Sequence, residues 1–167
     1  MITNAILIDI CGTLFYSNTT FDFLDFYITQ KSYKQFRKLM KTPIWRYTNS
    51  LIYRLFHLDL SRKIALSYLK GIPHAELLNR AESFYDNYLS PRRIHETWDL
   101  IESKRPTNEL ILVSGTIDPI AETVAKKMGI QHYISSSLKY NKNICEGKLE
   151  YDALRKKSEY LTTLNIQ

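Results

Sequence analysis

The carboxylate with the clearest chemical setting in the sequence is that of Asp9. It ends an unbroken apolar run over 5–8 and is followed closely by the turn-forming pair Gly12-Thr13. An apolar run bounded by a turn signal predicts a strand buried on both faces. A carboxylate at the carboxyl end of such a strand lies where open α/β sheets bind ligands, and burying it is costly unless it is paired, binds a metal or takes part in chemistry. Asp9 is therefore a candidate functional residue; the alternative is that it only caps the next turn.

A second candidate group is the hydroxyl of Ser114. It ends the apolar run 110–113 and precedes Gly115-Thr116. A hydroxyl and the backbone amides that follow it, at a strand-to-helix turn, can hold a phosphoryl oxygen. Taken alone, a serine at a strand end is more often structural. Its pairing with Asp9, at the end of another predicted strand, favours a functional role.

The elements that position these two residues follow from the apolar periodicity. Caps, periodicity and prolines predict a stretch that is almost entirely helical from 18 to 105, with helices over 21–28, 33–40, 44–58, 64–69, 74–89 and 91–103. Beyond it the pattern predicts a strand over 109–114, a helix over 118–128, a strand over 131–135, a hairpin with arms 137–140 and 144–149, and a last helix containing Lys156 and Lys157. This order predicts an α/β fold with a Rossmann-like parallel sheet, interrupted after its first strand by an α-helical module.

Composition places limits on the class of protein. The 167 residues can form one domain, or a modest core with an insertion, and the 44% hydrophobic and 13% aromatic content is typical of a packed globular protein. The two cysteines, Cys11 and Cys145, provide no disulfide framework, and the start of the chain has no secretory signal pattern. No apolar stretch approaches the roughly 18 residues of a membrane span. We therefore expect a cytoplasmic protein.

The positive charge is concentrated in one segment. The net charge is +6, yet 31–70 alone contains ten lysines and arginines and a single acid, Asp59. A field of that sign favours phosphorylated substrates, anionic lipid or nucleic acid. Nucleic acid is the least favoured partner because no recognised binding motif is present. The segment either lies against an anionic membrane as an interfacial helix, which would make the protein membrane-peripheral, or carries solvated cations over an aromatic core.

Two motifs resemble those of a known family. The apolar run followed by Asp9, Gly12, Thr13 and Leu14 resembles the first motif of the haloacid dehalogenase-like (HAD) phosphatases, and Ser114 at its strand end resembles the second. The order of elements is similar to the phosphoserine-phosphatase-like branch, which has a helical cap between these motifs. The resemblance implies a core made of 1–16 and 106–167 and a cap over 17–105.

The resemblance also implies a reaction and residue roles. It implies a Mg²⁺-dependent phosphatase for a small phosphorylated substrate, with an aspartyl-phosphate formed on Asp9. Asp9 and the backbone carbonyl of Cys11 would hold the metal, while Ser114 and Lys157, or its neighbour Lys156, would stabilise charge on the phosphoryl oxygens. The residues implied to surround the substrate are Gly12, Thr13, Gly115 and Thr116.

The sequence departs from the family pattern at two points. Cys11 stands where these phosphatases usually carry a second aspartate, which acts as the general acid and base. The acidic pair of the fourth motif is not found before Gln167, so we expect a truncated core, a weak Mg²⁺ site and a first strand exposed at the edge of the sheet. An exposed edge favours a homodimer. Weak or absent catalysis is thus expected, and a non-catalytic or membrane-surface protein on the same fold is the alternative.

Overall fold

A single mixed sheet organises the computed structural model, which describes residues 4–154. Its strands are β1 (Ala5–Ile8), β2 (Glu109–Ile117), β3 (His132–Asn141) and β4 (Ile144–Tyr151). They lie in the order β1-β2-β3-β4; the first three are parallel and β4 is antiparallel to β3. The predicted α/β Rossmann-like fold is confirmed. Within the described residues β1 lies at one edge of the sheet and pairs with β2 alone.

The third strand differs from its prediction. The strand expected over 131–135 and the hairpin arm expected over 137–140 form one continuous strand, β3, whose two halves have different partners. Its first half pairs in parallel with β2, and its second half pairs with β4. The turn that follows is tight, since Lys142 and Asn143 both have positive φ angles, 49° and 65°. Two adjacent left-handed residues are typical of a two-residue hairpin turn.

The chain between β1 and β2 is helical, as predicted. Within the described residues the helices of the molecule are α1 (Thr19–Tyr27), α2 (Lys31–Met40), α3 (Pro43–Phe56), α4 (Leu60–Ser67), α5 (His74–Phe84), α6 (His95–Lys104) and α7 (Asp118–Met128). The helix predicted over 74–89 changes to a π-helical turn at Tyr85–Leu89. The helix predicted from Pro91 begins only at His95, because a short 3₁₀ turn at Ser90–Arg92 is followed by extended backbone at Arg93.

The hydrophobic core joins the helical insertion to the sheet. From α7, which packs against β2 and β3, the core receives Ile120, Ala121 and Val124, all essentially inaccessible to solvent. Aromatic contacts continue the core into the insertion, where the rings of Phe23 and Phe84 meet edge to face at 5.5 Å. No helix of the described chain is long and apolar enough to cross a membrane.

Candidate active site

The first site residue, Asp9, follows β1 directly. Ile8 of β1 pairs with Leu112 of β2 in parallel register, so Asp9 follows the paired part of β1 beside the middle of β2. Ser114, predicted at the end of its strand, lies within β2, which continues to Ile117. The Oδ1 atom of Asp9 accepts a hydrogen bond of 2.8 Å from the amide of Ile10. This bond fixes the carboxylate at the carboxyl edge of the sheet.

A tight loop behind Asp9 holds it in place. Gly12 has a left-handed φ of 68°, which a residue without Cβ adopts readily, and its amide donates to the carbonyl of Phe15 at 3.0 Å. The side chains of Leu14 and Phe15 are fully buried beneath the loop. The amide of Ile94 donates to the carbonyl of Leu14 at 3.0 Å. The loop is therefore anchored to the helical insertion as well as to β1.

Asp9 opens onto a cavity of ≈ 380 Å³ between the strand ends and the helical insertion. The predicted residues that line it are Asp9, Cys11, Gly12, Gly115 and Thr116. Its other walls come mainly from the insertion: Ser17, Asn18, Thr20, Phe21, Asp59 and Arg62, with Leu154 from the end of the described chain. Two carboxylates, a guanidinium, hydroxyls and an amide thus line one cavity together with Phe21 and Leu154, and such convergent polar groups can orient a small ligand.

Three predicted residues lie elsewhere or outside the described residues. Ser114 is fully buried behind the cavity wall, where its hydroxyl accepts a long hydrogen bond of 3.4 Å from the amide of Thr116. Thr13 is half-buried and is not part of the wall. Lys157 and its alternative Lys156 lie outside the described residues.

Cys11 belongs to a chain of hydroxyl contacts. Its Sγ lies 2.8 Å from the Oγ1 of Thr19, and that hydroxyl donates to the Oγ1 of Thr116 at 2.8 Å. A hydroxyl has one proton to give, so the Cys11 thiol is the donor toward Thr19. The proton of Cys11 is thereby directed into the protein, toward two fully buried threonines.

Sequence reasoning missed Arg62 of α4. Its side chain is only 6% exposed, and its Nη1 donates to Asp152 Oδ1 at 2.7 Å while its Nη2 donates to the carbonyl of Gly115. Ser136 also donates to the Gly115 carbonyl, at 3.1 Å. The guanidinium thus joins the insertion to the strand end beside Asp9. Nothing local in the sequence distinguishes it from the other cations of 31–70.

The described residues provide a sparse set of metal ligands. They contain no group of three or more His, Cys, Asp or Glu side chains placed to hold a metal ion. Asp9 and Cys11 line the same cavity, and the Cys11 backbone carbonyl is the second oxygen ligand that the resemblance implies. Mg²⁺ commonly binds one or two carboxylates and completes its shell with water and phosphate oxygens. The donor set therefore fits a weakly held Mg²⁺.

The fold and the cavity together define a class. A carboxylate at the end of the parallel strand β1, facing a cavity beneath a helical insertion, is typical of α/β proteins that bind a ligand at the carboxyl edge of the sheet. Within β1 only Ile8 is buried and Leu7 is 38% exposed, so the prediction of a strand buried on both faces is wrong: β1 lies at the edge of the described sheet. A family model for haloacid dehalogenase-like hydrolases matches residues 6–159. The chain belongs to this family, which confirms the resemblance read from Asp9 and Ser114.

Solved structures share the fold. A protein with unknown function from Bordetella pertussis Tohama I is 18% identical, with a TM-score of 0.66 over 98% of this chain and 76% of its own. A probable phosphoserine phosphatase from Vibrio cholerae is 15% identical, with a TM-score of 0.56 over 96% of this chain and 45% of its own. A substrate-bound phosphoserine phosphatase is 17% identical, with a TM-score of 0.61 over 97% of this chain and 70% of its own.

These matches differ in how much of each relative the chain covers. It spans less than half of the Vibrio cholerae protein and about three quarters of the Bordetella pertussis one. No curated protein matches the chain. At these identities the solved structures establish the fold of the chain but not the reaction that it catalyses.

Proposed function

We propose that the protein is a Mg²⁺-dependent phosphatase that acts on a small phosphorylated substrate through an aspartyl-phosphate on Asp9. The observation that supports this most directly is the position of Asp9, at the end of β1 and on the wall of a polar cavity. Phosphoserine phosphatases with the same fold, one of them described as substrate-bound, are consistent with the proposal.

In the proposed reaction an oxygen of Asp9 attacks phosphorus, and the bond from phosphorus to the leaving oxygen breaks. The leaving group departs with that electron pair, and water then hydrolyses the aspartyl-phosphate to inorganic phosphate and the free carboxylate. Gly12, Gly115 and Thr116 line the cavity and would surround the phosphoryl group, and Lys157 would offset its charge. Thr13 and Ser114 are not on the cavity wall, so contact with the phosphoryl group would require them to move. When bound by Asp9 and the Cys11 carbonyl, Mg²⁺ supplies further positive charge for the phosphoryl oxygens.

Cys11 determines which substrates we expect to react. A thiol is a weaker acid than a carboxylic acid, and the proton of Cys11 is directed toward Thr19 and away from the cavity. Loss of a general acid lowers the reaction rate by a factor on the order of 10²–10⁴. Acyl and aryl phosphates need this help least, because their leaving groups are acidic. We expect slow hydrolysis of these and almost none of sugar phosphates.

The test is hydrolysis of acetyl phosphate and p-nitrophenyl phosphate, with and without Mg²⁺, by the protein and by Asp9→Asn. The proposal expects Mg²⁺-dependent phosphate release that Asp9→Asn abolishes. Equal rates for the two proteins, or no release above buffer, would overturn it.

We propose that 17–105 acts as a cap over a core made of 1–16 and 106–167. Cavity residues from both parts support this division. Asp59 and Arg62 come from the insertion, whereas Asp9 and Gly115 come from the strand ends. The cap would then select the substrate's leaving group and limit the access of water.

A second candidate is a non-catalytic protein that contacts an anionic membrane surface through 31–70, with a cytoplasmic and membrane-peripheral location. The observation in its favour is that eight of the ten cations in this segment are exposed: Lys31, Lys34, Lys38, Lys41, Arg46, Arg54, Lys63 and Lys70. Co-sedimentation with anionic vesicles at low and high ionic strength tests it. Salt-sensitive binding is expected, and no binding at low ionic strength would remove this candidate.

We also propose homodimer formation through β1, which has one strand neighbour in the described part of the chain. Open backbone groups at a sheet edge can pair with another chain. Light scattering should then report a dimer, and the amides of β1 should exchange slowly. A monomer with fast exchange in β1 would contradict dimerisation through this edge.

A further inference from the structure

Helix α3 presents a continuous apolar stripe to solvent. The stripe consists of Ile44, Tyr47, Leu51 and Leu55, which are 81%, 74%, 45% and 65% exposed. Their spacing of three, four and four residues places them on one face of the helix. No residue of α3 is buried. Isolated exposed apolar residues are ordinary on a protein surface, but a contiguous row marks an interaction site.

The opposite face of α3 fixes the orientation of this stripe. Trp45 packs edge to face on Phe36 at 5.6 Å, and its Nε1 donates to the Oγ of Ser61 at 2.8 Å. Asn49 accepts a hydrogen bond of 3.1 Å from the amide of Ser61 through its Oδ1. These contacts attach α3 to α2 and α4 by its polar and aromatic side. The stripe therefore faces outward and cannot turn into the protein without breaking them.

The charges around the stripe limit what can cover it. Exposed Arg54 follows Leu51 by three residues on the same side of α3, and exposed Lys41 precedes the helix. The segment 31–70 as a whole has ten cations against Asp59 alone. A second copy of the chain packed on the stripe would bring like charges together. A partner must therefore offer an apolar region to the stripe and negative charge to the cations beside it. An anionic bilayer offers both, in its acyl chains and its headgroups.

We infer that α3 lies in the plane of an anionic membrane interface, with Ile44, Tyr47, Leu51 and Leu55 inserted at the acyl boundary and Lys41 and Arg54 at the headgroups. This deepens the second candidate function and rests on it, because it adds apolar insertion to charge attraction. It is independent of the chemistry at Asp9.

The experiment uses a substitution on the stripe that should change vesicle binding in opposite directions, depending on whether binding depends on charge alone or also on apolar insertion. Leu55→Lys adds a cation, so binding by charge alone becomes stronger, whereas loss of insertion makes it weaker. The matched control is Leu100→Lys on α6, where a leucine of similar exposure, 59%, lies outside the stripe. The probe is co-sedimentation with phosphatidylcholine vesicles containing phosphatidylserine, and circular dichroism verifies that each variant is folded.

We expect Leu55→Lys to bind these vesicles on the order of tenfold more weakly than the unchanged protein, and Leu100→Lys to bind at least as well as it. Binding of Leu55→Lys that equals or exceeds that of the control would overturn insertion while leaving charge-driven membrane contact standing. No binding of the unchanged protein at low ionic strength would overturn both. Self-association without lipid that Leu55→Lys abolishes would assign the stripe to a second copy and overturn the membrane inference.

Discussion

Asp9 and Cys11 are separated by one residue and differ in how their side chains are held. The Asp9 carboxylate is fixed by the amide of Ile10 at the cavity wall, whereas the Cys11 thiol donates toward Thr19. Both residues line the cavity, and the thiol proton of Cys11 is directed toward Thr19. This difference underlies the expectation of a phosphatase with a nucleophile and no efficient proton donor.

Replacing the thiol by a carboxyl group tests this account of Cys11. We predict that Cys11→Asp raises phosphatase turnover by about 10²-fold, because it restores a general acid of suitable strength. Steady-state hydrolysis of an alkyl phosphate such as glycerol phosphate, whose leaving group needs protonation, measures the change, and p-nitrophenyl phosphate should gain less. Cys11→Ser is the control, since a hydroxyl keeps the contact with Thr19 without adding an acid, and it should remain at the original rate. Equal turnover in all three proteins would contradict the role assigned to this position.

Arg62 gives a prediction about stability. Arg62→Met removes one partner of a largely buried ion pair and leaves Asp152 and the Gly115 carbonyl without it. We expect a loss of about 1–3 kcal/mol in the free energy of unfolding, below the full cost of a fully buried pair because Asp152 is 36% exposed. Urea denaturation measures it. The control, Arg105→Gln, breaks the exposed pair with Glu102 and should cost at most about 0.5 kcal/mol; equal losses would rule out a special role for Arg62.

Among the site residues, the sequence predicts those that lie next to strand ends. It does not identify those whose role depends on burial in the folded protein. The position of Asp9 follows from the pattern of an apolar strand that ends in an acid, because open α/β sheets bind ligands at the carboxyl ends of their strands. Gly115 and Thr116 are implied by the resemblance to the HAD phosphatases, and both line the cavity. Arg62 looks like any other cation in its segment, and only the fold places it beside Gly115. Roles for Ser114 and Lys157 stay predictions.

Among the elements, the sheet and its hairpin show how local patterns mislead. The polar residues Ser135, Ser136 and Ser137 resemble a break between strands, yet β3 runs through them because it changes partner there. The alternation of apolar and polar residues along a strand indicates which face of the sheet is buried. It does not indicate which neighbouring strand forms the hydrogen bonds. The helical insertion was predicted well, since apolar periodicity and caps are local signals.

The hairpin turn allows a prediction on backbone conformation. Lys142 adopts a positive φ of 49°, which is unfavourable for a residue with a side chain. Lys142→Gly should therefore raise the free energy of unfolding by roughly 0.5–1 kcal/mol. The comparison variant is Gly129→Ala, at a left-handed helix end with φ 64°, which should lower it by about 1 kcal/mol. Thermal denaturation reports both shifts; the same sign for both would contradict the turn geometry.

For the molecule as a whole, Asp118 couples stability to pH. Burial raises the pKa of this carboxyl group, although its hydrogen bond from the amide of Leu138 at 2.9 Å acts in the opposite direction. Because the folded state holds the proton more tightly than the unfolded state, the stabilising contribution is complete below the ordinary aspartate pKa of about 3.9 and is lost as pH rises through the raised value.

Comparison with Asp118→Asn isolates this contribution. The free energy of unfolding of the unchanged protein, minus that of the variant, should fall as pH rises above about 4 and become constant once Asp118 is ionised. Urea denaturation across the acid range measures this difference. A difference that rises over this interval would contradict the direction of the pKa shift.

The central claim is that Asp9 accepts a phosphoryl group, and intact-protein mass spectrometry after acid quenching tests it most directly. The protein is incubated with acetyl phosphate and Mg²⁺, beside Asp9→Asn as the matched variant. We predict that the protein gains the mass of one phosphoryl group, that peptide mapping locates it on Asp9, and that Asp9→Asn gains none. A phosphoryl group retained by Asp9→Asn, or none on the unchanged protein, would contradict the account.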